Sequence, residues 1–370
     1  MKASAAFLAV AALLSQGVFG LPCQDPSTCG KKVARADEPI LAFPGAEGFG
    51  RFATGGRTGK VYKVTNLNDS GEGSLRDAVS QPNRIVVFDV GGIIKINARI
   101  VVSKNIYIAG QTAPGGGITV YGNGFSLSNA NDAIVRYIRI RMGKGGDSGK
   151  DAVTIASGER ILVDHKNNVV YNWGGGGGYI AGDSSGPSAA NIKNNYFISG
   201  PSTSVTAFTR GNANFKGYVE NNFYDSNRDG VLNGAALCVS TSCYSNMAIQ
   251  TTPFDYPGPA IALKPEDAVK HVIAKVGASL VRDSVDKALI AELESYGKTG
   301  KLISDEASVG GVGEIEAGTP KKDTDGDGIP DDYESANGLD PNDASDGMKI
   351  GAGGYTNLEI YVNSLVSSVY

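Results

Sequence analysis

A chain of 370 residues that is 41% hydrophobic and 19% charged holds ample apolar material for a core and lies far from the composition of disordered segments. Its formal net charge of -4, with no lysine or arginine run, removes the electrostatic basis for nucleic-acid binding, and an acidic polymer would need local cations. Beyond the first residues no segment is long and apolar enough to span a bilayer, so no membrane partner is expected.

Residues 1–20 read as a secretory signal: Lys2 is the positive start, residues 5–14 are the apolar run, and Val18-Phe19-Gly20 puts small residues around a cleavage point. A secreted, extracellular, monomeric product is expected, with residues 21–42 as an N-terminal extension. Four cysteines suit that compartment, and they form two close pairs, Cys23 with Cys29 and Cys238 with Cys243. Three connectivities are possible, and proximity favours two local loops. Asn68-Asp69-Ser70 is a glycosylation acceptor among turn-forming neighbours, which marks Asn68 as a surface site.

From residue 84 to 224 short β-rich runs alternate with glycine, asparagine and aspartate turns. Residues 85–88, 93–96, 106–108, 118–121, 134–140 and 152–155 read as strands. The pairs Asn167-Asn168, Asn194-Asn195 and Asn221-Asn222 recur at a spacing of 27 residues, each followed by aromatics: Tyr171, Tyr196-Phe197 and Phe223-Tyr224. Strands without helical crossovers at such a period predict an all-β, right-handed parallel β-helix over residues 43–257, with asparagine amides stacked from coil to coil. Five glycines at 174–178 lack the lysine and serine of a phosphate loop, so they read as an excursion from a coil. Two amphipathic helices follow, one opening at Pro265 and one over residues 286–296, in a region 258–309 that packs on the solenoid. Residues 310–322 read as a linker.

The C-terminal module, residues 323–370, opens with a calcium loop. Asp323, Asp325 and Asp327 occupy loop positions 1, 3 and 5, Gly328 at position 6 allows the sharp turn, Ile329 offers a backbone carbonyl, and Glu334 closes position 12 bidentately. Asp331 is expected to bind directly or through water. No helix enters the loop, because Gly318-Thr319-Pro320 precedes it, and a second acidic turn follows at Asp340-Pro341-Asn342-Asp343 and Asp346.

Phe43-Pro44-Gly45-Ala46-Glu47-Gly48-Phe49-Gly50, residues 65–76, Gly110-Gln111-Thr112-Ala113-Pro114 and residues 135–141 resemble segments of secreted pectate lyases, and the likeness looks closest to the fungal pectate lyase C group. The resemblance implies a parallel β-helix that cleaves polygalacturonate by calcium-assisted β-elimination, with an arginine as base. It also implies that Asp151 is a ligand of the catalytic Ca2+ and that Val163-Asp164-His165 begins the family's Asp-His segment. The chain then departs from the pattern: Lys166 runs directly into Asn167, and no Arg-x-Pro occurs. Several dozen residues are therefore expected to be missing relative to the family, and Arg210 is the remaining candidate for the base. A calcium-stabilised β-helix that holds pectin without cleaving it is the competing reading.

Overall fold

The computed structural model describes residues 39–48, 50–155, 162–163, 168–182, 185–256 and 263–367. The expected secretory segment, the expected Cys23 and Cys29 pair, and Asp164-His165 lie outside them. After β1 (Lys60–Val64) and the short helix α1 (Leu75–Ser80), the chain winds in coils of three strands. The first full coil holds β2 (Arg84–Phe88), β3 (Gly92–Lys95) and β4 (Ile100–Val101), and the second holds β5 (Ile106–Ala109), β6 (Ile118–Tyr121) and β7 (Phe125–Ser126). The third holds β8 (Ile134–Arg136), β9 (Ile138–Arg141) and β10 (Val153–Thr154), and β11 (Leu162–Val163) begins another. Equivalent strands pair in parallel, giving three sheets ordered β1-β2-β5-β8-β11, β3-β6-β9 and β10-β7-β4.

A second stack repeats the plan with β12 (Val169–Tyr171), β13 (Tyr179–Ile180) and β14 (Ser188–Lys193), then β15 (Tyr196–Ile198), β16 (Phe208–Thr209) and β17 (Phe215–Glu220). It ends with β18 (Phe223–Asp225), β19 (Ala235–Ala236) and β20 (Ala248–Gln250), where β19 turns back antiparallel on β18. The parallel β-solenoid expected from the strand pattern is present. Among the described residues no strand ladder joins the two stacks, and the junction falls between β11 and β12.

The asparagine period works as expected. Asn195 Oδ1 accepts from the N–H and Nδ2 of Asn168 at 3.2 and 3.1 Å, and Asn222 Oδ1 accepts from the N–H and Nδ2 of Asn195 at 3.1 and 2.9 Å. The residue before each stacked amide, Asn194 or Asn221, takes φ 54° or 52°, a left-handed corner that asparagine tolerates. The first stack has its own rung, Asn105 Nδ2 to Asn83 Oδ1 at 2.6 Å.

Two expectations need correction. The run 134–140 is two strands, because Tyr137 at φ 54° turns the chain from the first sheet into the second. The glycines after Trp173 are pressed against the solenoid: a Cβ at Gly177 would lie 2.3 Å from Thr209 Oγ1, and one at Gly178 would lie 3.0 Å from Phe197.

Strand alternation builds two cores from the same sheet. Val86, Phe88, Ile106 and Ile108 fill the interior of the first stack with Ile94, Ile118 and Val120. Their neighbours Ile85, Val87, Tyr107 and Ile134 join Phe43 and the C-terminal residues Ile329, Leu358, Tyr361 and Val362 in a cluster on the other face. Full burial of each of these four C-terminal side chains contributes roughly 2 kcal/mol, so the C-terminal module is a fitted cover on the sheet. Among the described residues four further α-helices follow α1, two in the region before this module and two within it.

Of these, α2 (Pro265–Lys275) and α3 (Ser284–Glu294) belong to the helical region. Val269 and Val272 of α2 pack with Val169, Tyr196 and Ile198 of the second stack. At the start of α3, Asp283 and Asp286 take Arg141 at 2.6 and 2.9 Å, and Asp286 takes Arg139 at 2.6 Å. Because both arginines stand on β9 of the first stack, the helix pair braces the junction. Residues 310–322 hold no helix or strand, yet Gly116 N–H donates to Glu316 O at 2.8 Å. The expected linker is therefore a strap laid along the solenoid.

Two short helices complete the cover, α4 (Asp331–Asn337) and α5 (Asn357–Ser364). Arg57 anchors α5 through a buried ion pair with Glu359 at 2.9 Å, and Glu359 also forms a capping box with Thr356.

Candidate metal centre

The loop at residues 323–334 is shaped by its own carboxylates. Asp323 accepts from the N–H groups of Gly326 and Gly328 at 2.8 and 2.9 Å, Asp325 Oδ1 from Asp327 N–H at 3.1 Å, and Asp327 Oδ1 from Ile329 N–H at 2.8 Å. These bonds bend the backbone inward. Asp325 and Asp327 each keep Oδ2 unbonded, whereas both oxygens of Asp323 accept. Gly326 and Gly328 take φ 84° and 93°, a conformation costly to residues with a side chain. Ile329 then drops its fully buried side chain into the core against β2, and α4 carries Glu334 back over the loop. Lys63 on β1 bonds Asp323 at 2.9 Å, tying the loop to the solenoid edge.

Two overlapping sets of carboxylates have oxygens within 4.8 Å of one another: Asp323, Asp325 and Asp327, and Asp327, Glu334 and Asp346. That spacing is about twice a Ca–O distance, so one ion of that size can touch all three members of a set, and Asp327 belongs to both. Asp327 Oδ2, both oxygens of Glu334 and Asp346 Oδ1 are buried with no hydrogen-bond partner, as is Asp325 Oδ2. Burying carboxylate oxygens without a partner is strongly unfavourable, and a hard divalent cation is the partner that several converging oxygens accept. Burial, reinforced by the neighbouring carboxylates, pushes Asp327 up to about 6 and Glu334 up to about 7. Asp325 is raised for the same reasons. The residues present fit calcium.

Asp331 does not join them. Its Oδ1 accepts from Thr324 N–H at 2.7 Å, and its Oδ2 accepts from Thr324 Oγ1 at 2.7 Å and Lys322 Nζ at 2.8 Å. Lys322 and Thr324 hold its carboxyl down at about 2. These bonds close the loop on itself, and it is Asp346 of the following turn that has an oxygen grouped with those of Asp327 and Glu334. The acidic turn at residues 340–346 was visible in the sequence, but its approach to the loop was not.

The other sequence-derived sites lie elsewhere. Asp151 precedes β10, is exposed, and its backbone carbonyl accepts from Arg99 Nη2 at 2.6 Å. It belongs to neither carboxylate group found among the described residues. Among the described residues no other carboxylate is grouped with it, so no catalytic step is derived through an ion there. Arg210 is exposed at the corner after β16, with φ 55°, in the other stack. No ladder connects the two positions among the described residues. Asn68 is exposed in a turn, where its N–H bonds Asn66 Oδ1 at 3.1 Å. Cys238 and Cys243 form the expected local disulfide, with Cα atoms 5.9 Å apart.

A protein of Neosartorya fischeri described as a probable pectate lyase C is 54% identical over 406 aligned residues, covering 91% of this chain and 96% of that protein. The chain belongs to the pectate lyase family. A probable pectate lyase C of Aspergillus terreus is 55% identical over 400 residues, covering 90% of this chain and 95% of that protein. No protein-family model matches. The crystal structure of Jun a 1, the major cedar pollen allergen, gives a TM-score of 0.27 at 12% identity, covering 69% of this chain and 93% of that one.

The first alignment also measures what this lyase-family chain lacks. Since 91% of 370 residues is about 337, roughly 70 of the 406 aligned positions face no residue here. At 27 residues per coil that is between two and three coils. Among the described residues no ladder links β11 to β12, around the point where the sequence leaves the family pattern at Lys166 and Asn167.

Proposed function

We propose that this chain is a secreted pectate lyase that cleaves demethylated pectin, (1,4)-linked polygalacturonate, by β-elimination. The family relationship at 54% identity over 91% of the chain, on a parallel β-solenoid, carries the reading. In the elimination a base takes the proton from C5 of a uronate residue and the C4–C5 double bond forms. The C4–O bond breaks, and the departing oxygen takes up a proton. A cation beside the uronate carboxylate would make the C5 proton more acidic. Within this reading Arg210 is the base, Asn68 carries a glycan, and Asp151 is the position the family resemblance assigns to a ligand of such a cation. Asp323, Asp325, Asp327, Glu334 and the Ile329 carbonyl hold a separate structural calcium.

The test incubates the purified chain with polygalacturonate, with calcium or with chelator, and follows the ultraviolet absorbance of the unsaturated product. Calcium-dependent product, reduced at least tenfold in D151N, is expected. Polysaccharide binding without any rise in absorbance would overturn the lyase reading for this chain. Full activity in R210A would remove Arg210 from the role of base.

A further inference from the structure

We propose that Asp346, twelve residues beyond the end of the loop, is a direct ligand of the C-terminal calcium ion in the place the loop pattern assigns to Asp331. The inference rests on the reading that residues 323–334 bind calcium, and it names a donor outside them.

Three observations carry it. Asp346 is 6% exposed, and its Oδ1 is buried without a partner while grouped with oxygens of Asp327 and Glu334. Its Oδ2 is already engaged, accepting from Asp340 N–H at 2.9 Å. One oxygen is thus held by the turn and the other is offered to the centre. Asp331 lies in neither carboxylate set, and Thr324 and Lys322 hold its two oxygens where they are. Turning it toward the sets would break a charge-assisted bond and two bonds to Thr324, whereas Asp346 already belongs to one of them.

The surrounding turn is built to that contact. A Cβ at Gly347 would lie 2.0 Å from Asp327 Oδ2, so only glycine lets the second turn approach the loop so closely. From there the contact runs into α5. Asn357 Nδ2 donates to Asp346 O at 2.9 Å, and Leu358 N–H donates to Gly347 O at 2.8 Å. Leu358, Tyr361 and Val362 of the same helix are buried against the sheet. An ion held by the loop and Asp346 together therefore ties α4, the second turn and α5 into one cover.

The experiment titrates calcium into the decalcified full-length chain by calorimetry and records thermal unfolding with and without calcium, for the parent, D346N, D331N and E334Q. Asp346→Asn keeps the acceptor for Asp340 N–H and removes the charged donor. The expected result is a Kd at least tenfold weaker for D346N, with a smaller calcium-induced rise in Tm, and a change under threefold for D331N. Parental affinity in D346N, or a loss confined to D331N, would overturn the assignment. If D346N does not fold without calcium, Asp346→Ser is the second variant, and the same criteria apply. Absence of binding in the parent, or unchanged binding in E334Q, would instead refute the loop reading itself.

Discussion

Asn195→Ala tests whether the asparagine stack holds the second solenoid stack together. Asn195 is 7% exposed, and its side chain makes three bonds: Oδ1 accepts from Asn168 N–H and Nδ2, and Nδ2 donates to Asn222 Oδ1. At about 1 kcal/mol net for each buried bond, the truncation costs about 3 kcal/mol, somewhat less where water reaches half-buried Asn168. Asn221→Gly is the control. It removes the exposed bond from Asn221 Nδ2 to Asn194 Oδ1, at 2.7 Å, and glycine keeps the left-handed backbone, so the loss should stay below about 1 kcal/mol. The single tryptophan, Trp173, is buried in this stack, with Nε1 bonded to Val205 O at 2.9 Å and the ring 6.3 Å from Phe197. Urea unfolding followed by its fluorescence therefore reports on the region concerned. A loss in N195A below about 1 kcal/mol, or no larger than in N221G, would refute the reasoning.

Two further outcomes are expected. Without calcium, Asp327 at about 6 and Glu334 at about 7 sit above ordinary carboxylates, so the folded chain retains protons that the unfolded chain releases. The stability is fully present at acid pH and is lost as pH rises through those values. Thermal midpoints in chelator should fall between pH 5 and 8, and a rising midpoint contradicts the sign. Arg139→Met removes a guanidinium that is 5% exposed and bonds Asp286 and Gly116 O, so unfolding should become easier by about 3 kcal/mol. Denaturant curves read this, and a change within about 0.5 kcal/mol would mean that α3 does not brace the junction.

Much of this protein is local chemistry and so is legible along the chain. The 27-residue asparagine period predicted coils because an amide can satisfy its neighbour only when the repeats are in register. The aspartates at alternate loop positions predicted a cation site because their spacing lets carboxylates turn toward one centre. Local pattern failed where a single backbone angle or a distant segment decided. Seven strand-like residues, 134–140, gave no sign that left-handed Tyr137 would divide them between two sheets. The outward Ile85 and Val87 read simply as strand residues, although their burial depends on a helix more than 250 residues later.

The metal centre separates the two kinds of information most clearly. Sequence alone determined that a cluster of carboxylates would form near residue 323, since the donors lie within one short loop. Which oxygens remain free was decided by tertiary structure, because hydrogen bonds to Thr324 and Lys322 occupy Asp331 while the turn against Gly347 brings Asp346 inward. A carboxylate oxygen bonds the partners that the fold brings within reach, and only the folded chain sets those distances.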